Sequence, residues 1–339
     1  MEYIVDALML GTSLAEYSQW PRVLYCTREV FDKAPGELLR TVWEIEFIKH
    51  LDGQEIERIV GAEKVKKNVF NVQSRLKNVW TKLKAWMLTD CRFQKAILLD
   101  TDMLIHGNPD SAFFYAQSVP LAGVMRGARD GPLDTLRGPG TIKSRRNPTG
   151  GGINGGFGVF QPSTFHYENM VRLLAERGCS AWGVDSEQGL LSEYFAGHTE
   201  QLPRIYNFQV HQLTLSAPLT SWNMEWRQLI EHLEDVLVFH FSAIPKPINF
   251  VMGTLNKTSV GHMADTFPGL QANLQNCPWR QGIGVEAIAA HHDQRRRLFS
   301  DRKLDDIWMS TYHELYSMYD FTFHECIWPS LSSTSSTAS

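Results

Sequence analysis

Short apolar runs alternate with polar, helix-forming stretches over the first two thirds of the chain. Runs rich in β-branched, aromatic and aliphatic residues predict strands at Arg22–Cys26, Ile45–Ile48, Ala96–Leu99, Leu121–Met125, Phe157–Gln161 and Val236–Phe241. Between them, Ser74 stands as an N-cap ahead of a predicted helix through Leu88, with apolar positions at Val79, Leu83 and Trp86–Met87. Thr164–Glu176 and Asp185–Phe195 carry two more helical patterns. Strands alternating with helices predict an α/β fold on a mixed, mostly parallel sheet with flanking helices. From Asn256 the alternation stops, and Val285–Tyr319 reads as one or two helices with Arg295–Arg297, Trp308, Tyr312 and Tyr316. The expected organisation is one domain over 1–255, a C-terminal helical extension over 256–330 and a polar low-complexity tail over 331–339.

Composition changes the picture little. At 339 residues, 43% hydrophobic and 21% charged, the chain has enough apolar residues for a sizeable core. A net charge of −4 gives no reason to expect nucleic acid or an anionic membrane as partner. Cys26, Cys91, Cys179, Cys277 and Cys326 are dispersed, with no CxxC pair, and read as reduced or buried thiols. No run approaches the ~20 apolar residues of a membrane-spanning helix. The first residues lack the basic n-region and small-residue cleavage site of a signal peptide. The expected location is therefore cytoplasmic, an upstream targeting or anchor segment aside.

Chemistry concentrates in Ile97-Leu98-Leu99-Asp100-Thr101-Asp102, an apolar strand ending in two carboxylates. In an extended strand, residues i and i+2 share a face. At the C-terminal edge of an α/β sheet they stand where ligands bind. Two hard oxygen donors there suit Mg²⁺ or Mn²⁺ shared with a diphosphate. Alone, Asp-x-Asp is equally what a turn or a solvated strand end provides.

Four further segments accompany it: Thr81-Lys82-Leu83-Lys84-Ala85-Trp86 one helix upstream, Gly150–Ser163 reading GGGINGGFGVFQPS, Asp185–Leu191 reading DSEQGLL, and Val238–Pro247 reading VFHFSAIPKP. In this order, from Tyr3 to Pro247, the chain resembles glycosyltransferase family 8, the retaining sugar-nucleotide transferases that include glycogenin. The resemblance implies a GT-A, Rossmann-like fold that binds a UDP-sugar through a divalent cation, Mn²⁺ in preference to Mg²⁺. It implies Asp100, Asp102 and His240 as metal ligands, with Thr101 beside the donor and Lys246 on the phosphates. It further implies Lys82 on the sugar nucleotide, Asn154 and Asp130 at the donor sugar, and Tyr3 stacked on uracil. Gln188 falls on the reactive face of the donor sugar, and Glu187 stands where the family carries aspartate. Lys82 and Lys84 also suit a solvated helix face. The glycine-rich run precedes a strand instead of joining strand to helix, which excludes a dinucleotide fingerprint.

The pattern also breaks. The stretch after Ile205-Tyr206-Asn207 contains no tyrosine before Ser216, so self-glucosylation has no acceptor there. The basic segment between Arg126 and Thr149 reads either as an acceptor-selecting loop or as a flexible insertion. Tyr3 aligns with the family's first helix, so the family's first strand is expected to be missing. Three functions follow: a Mn²⁺-dependent retaining hexosyltransferase acting from UDP-glucose or a related donor onto an unknown glycan, protein or small-molecule acceptor; a catalytically impaired sugar-nucleotide or glycan-binding relic of that fold; and, least supported, a haloacid-dehalogenase-type phosphatase, whose motif Leu104 breaks.

Overall fold

The computed structural model describes residues 2–32, 36–65, 78–87, 93–126, 152–182, 186–210 and 224–242. It divides into two units, one of Met1–Glu46, Thr101–Pro109 and Asn207–Ser339, the other of Phe47–Asp100 and Asp110–Tyr206.

The first unit begins with α1 (Glu2–Tyr17), whose apolar face of Ile4, Ala7, Leu8 and Leu14 is buried and packs on β4 (Met103–Ile105). Ser13 fastens this contact: its Oγ accepts from the Ile105 amide at 3.2 Å and donates back to Met9 O at 3.0 Å. Gly11 lets Trp43 approach, because a Cβ there would meet Trp43 Nε1 at 2.5 Å. That indole donates to Ala7 O at 2.8 Å. β1 (Val23–Cys26) pairs with β2 (Glu44–Phe47), and α2 (Arg28–Asp32) and α3 (Gly36–Leu39) lie between them in sequence. A three-stranded sheet runs in the order β4, β9 (Val238–His240), β8 (Phe208–Gln209), with β4 antiparallel and β8 parallel to β9. Its register sets Met103 and Gln209 on either side of His240. Phe208 packs on Trp226 of α7 (Met224–Glu231) with ring centroids 4.6 Å apart.

The second unit is built on a four-stranded sheet ordered β3 (Ala96–Leu99), β6 (Ile153–Phe160), β5 (Leu121–Met125), β7 (Thr199–Gln201). β6 is antiparallel to both neighbours and buried along all eight residues. α6 (Ser186–Tyr194) packs on β6, and a 3₁₀ helix over Val79–Met87 and α5 (Thr164–Arg177) pack on α6 and on each other, with α4 (Gly53–Val60) against α5. Asp52 caps α4 by accepting from the Glu55 amide, and Ser163 caps α5 by accepting from His166 N. The core here is aromatic, with Trp86 tilted against Phe160 at 4.6 Å and stacked on Phe195 at 6.0 Å.

The mixed α/β class is as expected, but the described pairings do not show a parallel majority: β3–β6, β5–β6 and β4–β9 are antiparallel, β5–β7 and β8–β9 parallel. A parallel partner needs a long crossover, as β7 has from β5, whereas β6 comes back between two strands running the other way. The expected helix through Leu88 is 3₁₀ over its described part, and the reason lies in its side chains. A period of three residues per turn puts Trp80, Leu83 and Trp86 on one edge, and all three are buried. β6 begins at Ile153, four residues before the predicted Phe157, because its glycines sit between two strands instead of in a loop. Cys26 and Cys179 are buried free thiols. Among the described residues no helix is long and apolar enough to cross a membrane. The 256–330 extension and 331–339 tail lie outside the described residues.

A candidate metal and donor site

β3 ends at Leu99, and the chain bends through Asp100, Thr101 and Asp102 before β4 begins at Met103. The carboxylate pair thus occupies a connection between two strands, not one extended strand. Two backbone bonds pin it: Asp100 N donates to Gly156 O on β6 at 2.8 Å, and Phe241 N donates to Asp102 O at 2.9 Å. Thr101 is half-buried between them.

Potential ligand atoms of Asp100, Asp102 and His240 lie within 4.8 Å of one another. His240 Nε2 stands 3.4 Å from Asp102 Oδ1, and the His240 side chain is only 3% exposed. Its other nitrogen, Nδ1, is 2.9 Å from Oδ1 of Asn207, which is fully buried. With the amide oxygen as acceptor, Nδ1 carries a proton, and Nε2 is directed at Asp102. An imidazole held by a buried acceptor behind it is the arrangement of a metal-ligating histidine. Two carboxylate oxygens and one such nitrogen fit a divalent cation that accepts both donor types.

Asp100 also anchors a second set of contacts. Lys82 Nζ lies 2.5 Å from Asp100 Oδ1 and 2.9 Å from Glu187 Oε1. Burial works against the lysine's charge, but Asp100 and Glu187 outweigh it and hold the ammonium above its ordinary pKa. Glu187, 5% exposed, has its remaining oxygen taken by Ser186 Oγ at 2.5 Å. Gln188 Oε1 accepts from the Gly155 amide at 2.9 Å, which fixes the side-chain amide plane. Gly155 is required for this: a Cβ would lie 2.9 Å from Gln188 Cγ and 3.3 Å from Glu187 Oε1. Asn154 is buried and its Oδ1 accepts from Gly156 N at 2.9 Å. Ser192 ties α6 to β6 by donating to Gln188 O at 2.6 Å and accepting from Ile153 N at 3.0 Å.

Of the residues singled out from the sequence, Asp100, Asp102 and His240 come together, and Lys82 and Glu187 join them through Asp100. Gln188 and Asn154 meet on the Gly155–Gly156 backbone. Tyr3 belongs to α1, but its side chain is not described, and Asp130 and Lys246 lie outside the described residues. Glu187, which stands where the resemblance places aspartate, holds Lys82 and Ser186. Asn207 was missed. Its one visible signal is a polar residue directly ahead of the Phe208 strand whose neighbour carries His240. Ser186 was also missed, and adopts φ of 45°, a left-handed backbone rare for a residue with a Cβ.

No protein-family profile matches the chain. In sequence it is similar to mouse glycogenin-1, 24% identical over 262 residues, which cover 76% of this chain and 65% of that protein. It is likewise similar to rabbit glycogenin-1, 24% over 268 residues, 77% of this chain and 67% of the other. An uncharacterized protein of Acanthamoeba polyphaga mimivirus is 26% identical over 249 residues, 73% of this chain and 78% of the other. The chain thus spans somewhat less than two thirds of the length of mouse glycogenin-1. Among solved structures it overlaps the WbbM bifunctional glycosyltransferase with TM-score 0.49 and 13% identity, 83% of this chain and 49% of that one. It overlaps mouse xyloside xylosyltransferase 1 with TM-score 0.44 and 12% identity, 72% and 93% of the two chains. Both overlaps are too loose to define a shared topology. In sequence, the chain is glycogenin-like.

Proposed function

We propose that this glycogenin-like chain is a retaining glycosyltransferase of the GT-A fold that moves a hexose from a UDP-sugar to an acceptor, with a divalent cation, Mn²⁺, as cofactor. The observation that carries the reading is the convergence of Asp100, Asp102 and His240 with their ligand atoms within 4.8 Å. A histidine among the donors favours Mn²⁺ over Mg²⁺, which takes oxygen almost alone. When bound, such a cation supplies positive charge against the diphosphate that leaves.

This chain's own residues do the rest. Asn207 keeps the His240 proton on the far side of the ring, so that Nε2 stays a donor. Lys82 brings a permanent positive charge beside Asp100, where a phosphate oxygen or a sugar hydroxyl can exchange for a carboxylate contact. Gln188, its plane fixed by the Gly155 amide, turns a second oxygen lone pair and its NH₂ group to the donor. In transfer, the bond between the sugar's anomeric carbon and the phosphate oxygen breaks and a bond to the acceptor oxygen forms. The acceptor's proton leaves with the diphosphate. An amide placed against the cationic carbon stabilises that charge without needing to reorganise.

The test is UDP release from UDP-glucose, UDP-galactose and UDP-xylose with Mn²⁺, Mg²⁺ or EDTA. Metal-dependent release that Asp102→Asn abolishes supports the proposal. Release that is unchanged by EDTA or by Asp102→Asn removes it.

A further inference from the structure

Away from Asp100, at the other end of the four-stranded sheet, lies a cavity of about 520 Å³, a volume within the ~300–1,000 Å³ of small-molecule sites. β6 carries Asn154 and Gly155 at its start and leads into Gln161 of the cavity at its end. At about 3.3 Å per residue that is about 25 Å of strand. We propose that this cavity is a second binding site whose ligand is a neutral oligosaccharide.

Its chemistry selects the ligand class. Among the described residues, no lysine, arginine, aspartate or glutamate lines it; Gln117, Gln161, His166, Tyr194, Phe195 and His198 do, with the turn before β5. A phosphate or carboxylate ligand would go without a cation, and an amine without an anion. Burial pushes the His166 imidazole below its ordinary pKa, which keeps it uncharged at neutral pH. The walls are aromatic and packed edge to face. His166 meets Phe195 at 5.2 Å, and Tyr194 meets Phe195 at 4.7 Å. Outside them Phe165, 68% exposed, packs its ring against His166 at 5.5 Å. An exposed phenyl ring in edge contact with the lining His166 offers its face to the C–H side of a pyranose. The amide and imidazole groups that line the cavity suit the hydroxyls around that ring.

The floor is preorganised. His166 Nδ1 is 3.0 Å from Tyr194 Oη, and Gln161 Nε2 donates to Ala116 O at 2.9 Å and Val119 O at 3.3 Å. That leaves Gln161 Oε1 to accept and His166 Nε2 to pair with a hydroxyl. Gln117 and His198 are exposed at the mouth. A rigid, uncharged, aromatic site costs little to order on binding and rewards a flat, hydroxyl-bearing ligand. Such a site would tether a glycan without taking part in bond making.

Saccharide binding is measured with neither donor nor metal present, so it is read apart from the transfer reaction. The full chain is titrated by calorimetry with maltohexaose, cellohexaose and xylohexaose, and with a hexagalacturonate as the anionic control. The expected result is that at least one neutral hexasaccharide binds and that hexagalacturonate binds more weakly. Phe165→Ala combined with His198→Ala, both at exposed positions, should weaken binding about tenfold or more. Gln188→Ala, at the donor site, should leave it unchanged. Absence of binding by all three neutral probes overturns the proposal, as does binding that survives the double variant. Self-association lost in Phe165→Ala, without saccharide binding, would assign the face to a second copy of this chain instead.

Discussion

Lys82 and Lys84 stand two residues apart on the same 3₁₀ turn and end in opposite circumstances. Lys84, 10% exposed, gives its ammonium to Glu55 Oε2 at 2.6 Å, and the other oxygen of Glu55 accepts from Tyr167 Oη at 2.7 Å. That arrangement is closed: one cation, one anion, one hydroxyl, joining α4, the 3₁₀ segment and α5. Lys82, 28% exposed, faces two carboxylates, Asp100 and Glu187, and Asp102 follows two residues beyond the first. Among the described residues, the carboxylates there outnumber the ammonium groups. A closed pair of this kind holds a fold together. A cluster with surplus negative charge on a half-open surface draws a cation from solution.

Removing one carboxylate from the Lys82 cluster should have the largest effect. Asp102→Asn deletes one carboxylate without changing shape, and UDP release should fall by at least about 10³-fold if the cation and its diphosphate are held there. Thermal unfolding without added metal should change little, since the cluster is relieved of repulsion. Retained turnover would mean that the surplus charge serves no cation.

The second test exchanges the two lysines. Lys84→Met leaves Glu55 buried without its cation and should cost about 3–5 kcal/mol of stability. Turnover per folded molecule should be preserved. Lys82→Met should do the reverse, lowering turnover about 10²-fold with the smaller stability loss of the pair. Urea unfolding and UDP release on both variants check this. If Lys84→Met slows turnover while the unfolding midpoint stays put, Lys84 serves catalysis and not the fold.

Much of this was legible in the sequence, and the failures have physical causes. Ala96–Leu99 and Leu121–Met125 were bounded correctly because apolar runs flanked by charge or turn residues leave few alternatives. α5 was predicted to within a residue because Ser163 caps it and Gly178 ends it. The short strands β7 and β8 carry too few residues for any period to appear. The pairing of Lys84 with Glu55 was not legible, because Glu55 lies 29 residues away and no local pattern encodes it. The donor set was visible as Asp-x-Asp plus a strand-end histidine, yet Asn207, which sets the histidine's tautomer, was not. It meets His240 only through parallel pairing of β8 with β9.

Gly155 offers a smaller test, at the contact between β6 and α6. Gly155→Ala places a methyl 2.9 Å from Gln188 Cγ, and the glutamine must swing aside or the helix must shift. Overpacking of this kind costs about 1–3 kcal/mol. Because Gln188 loses its fixed plane, kcat should fall about tenfold or more while KM for the UDP-sugar stays close to wild type. A rise in KM with kcat unchanged would show that Gln188 serves only to bind the ground state.

The smallest expected effect distinguishes strain from bonding at Ser186. Its hydroxyl donates to Glu187 Oε2, and its backbone sits at φ of 45°. Ser186→Ala and Ser186→Gly both delete the hydroxyl, so both free Glu187 from one of its donors and loosen its hold on Lys82. Turnover should drop a few-fold in each. Only glycine adopts the left-handed backbone without a Cβ clash, a difference of about 1 kcal/mol. Ser186→Gly should therefore unfold at higher urea than Ser186→Ala, with matching turnover. If the two variants match in stability instead, the left-handed turn ahead of Glu187 stores no strain. If only the alanine variant loses turnover, then the backbone, and not the hydroxyl, is what keeps Glu187 on Lys82.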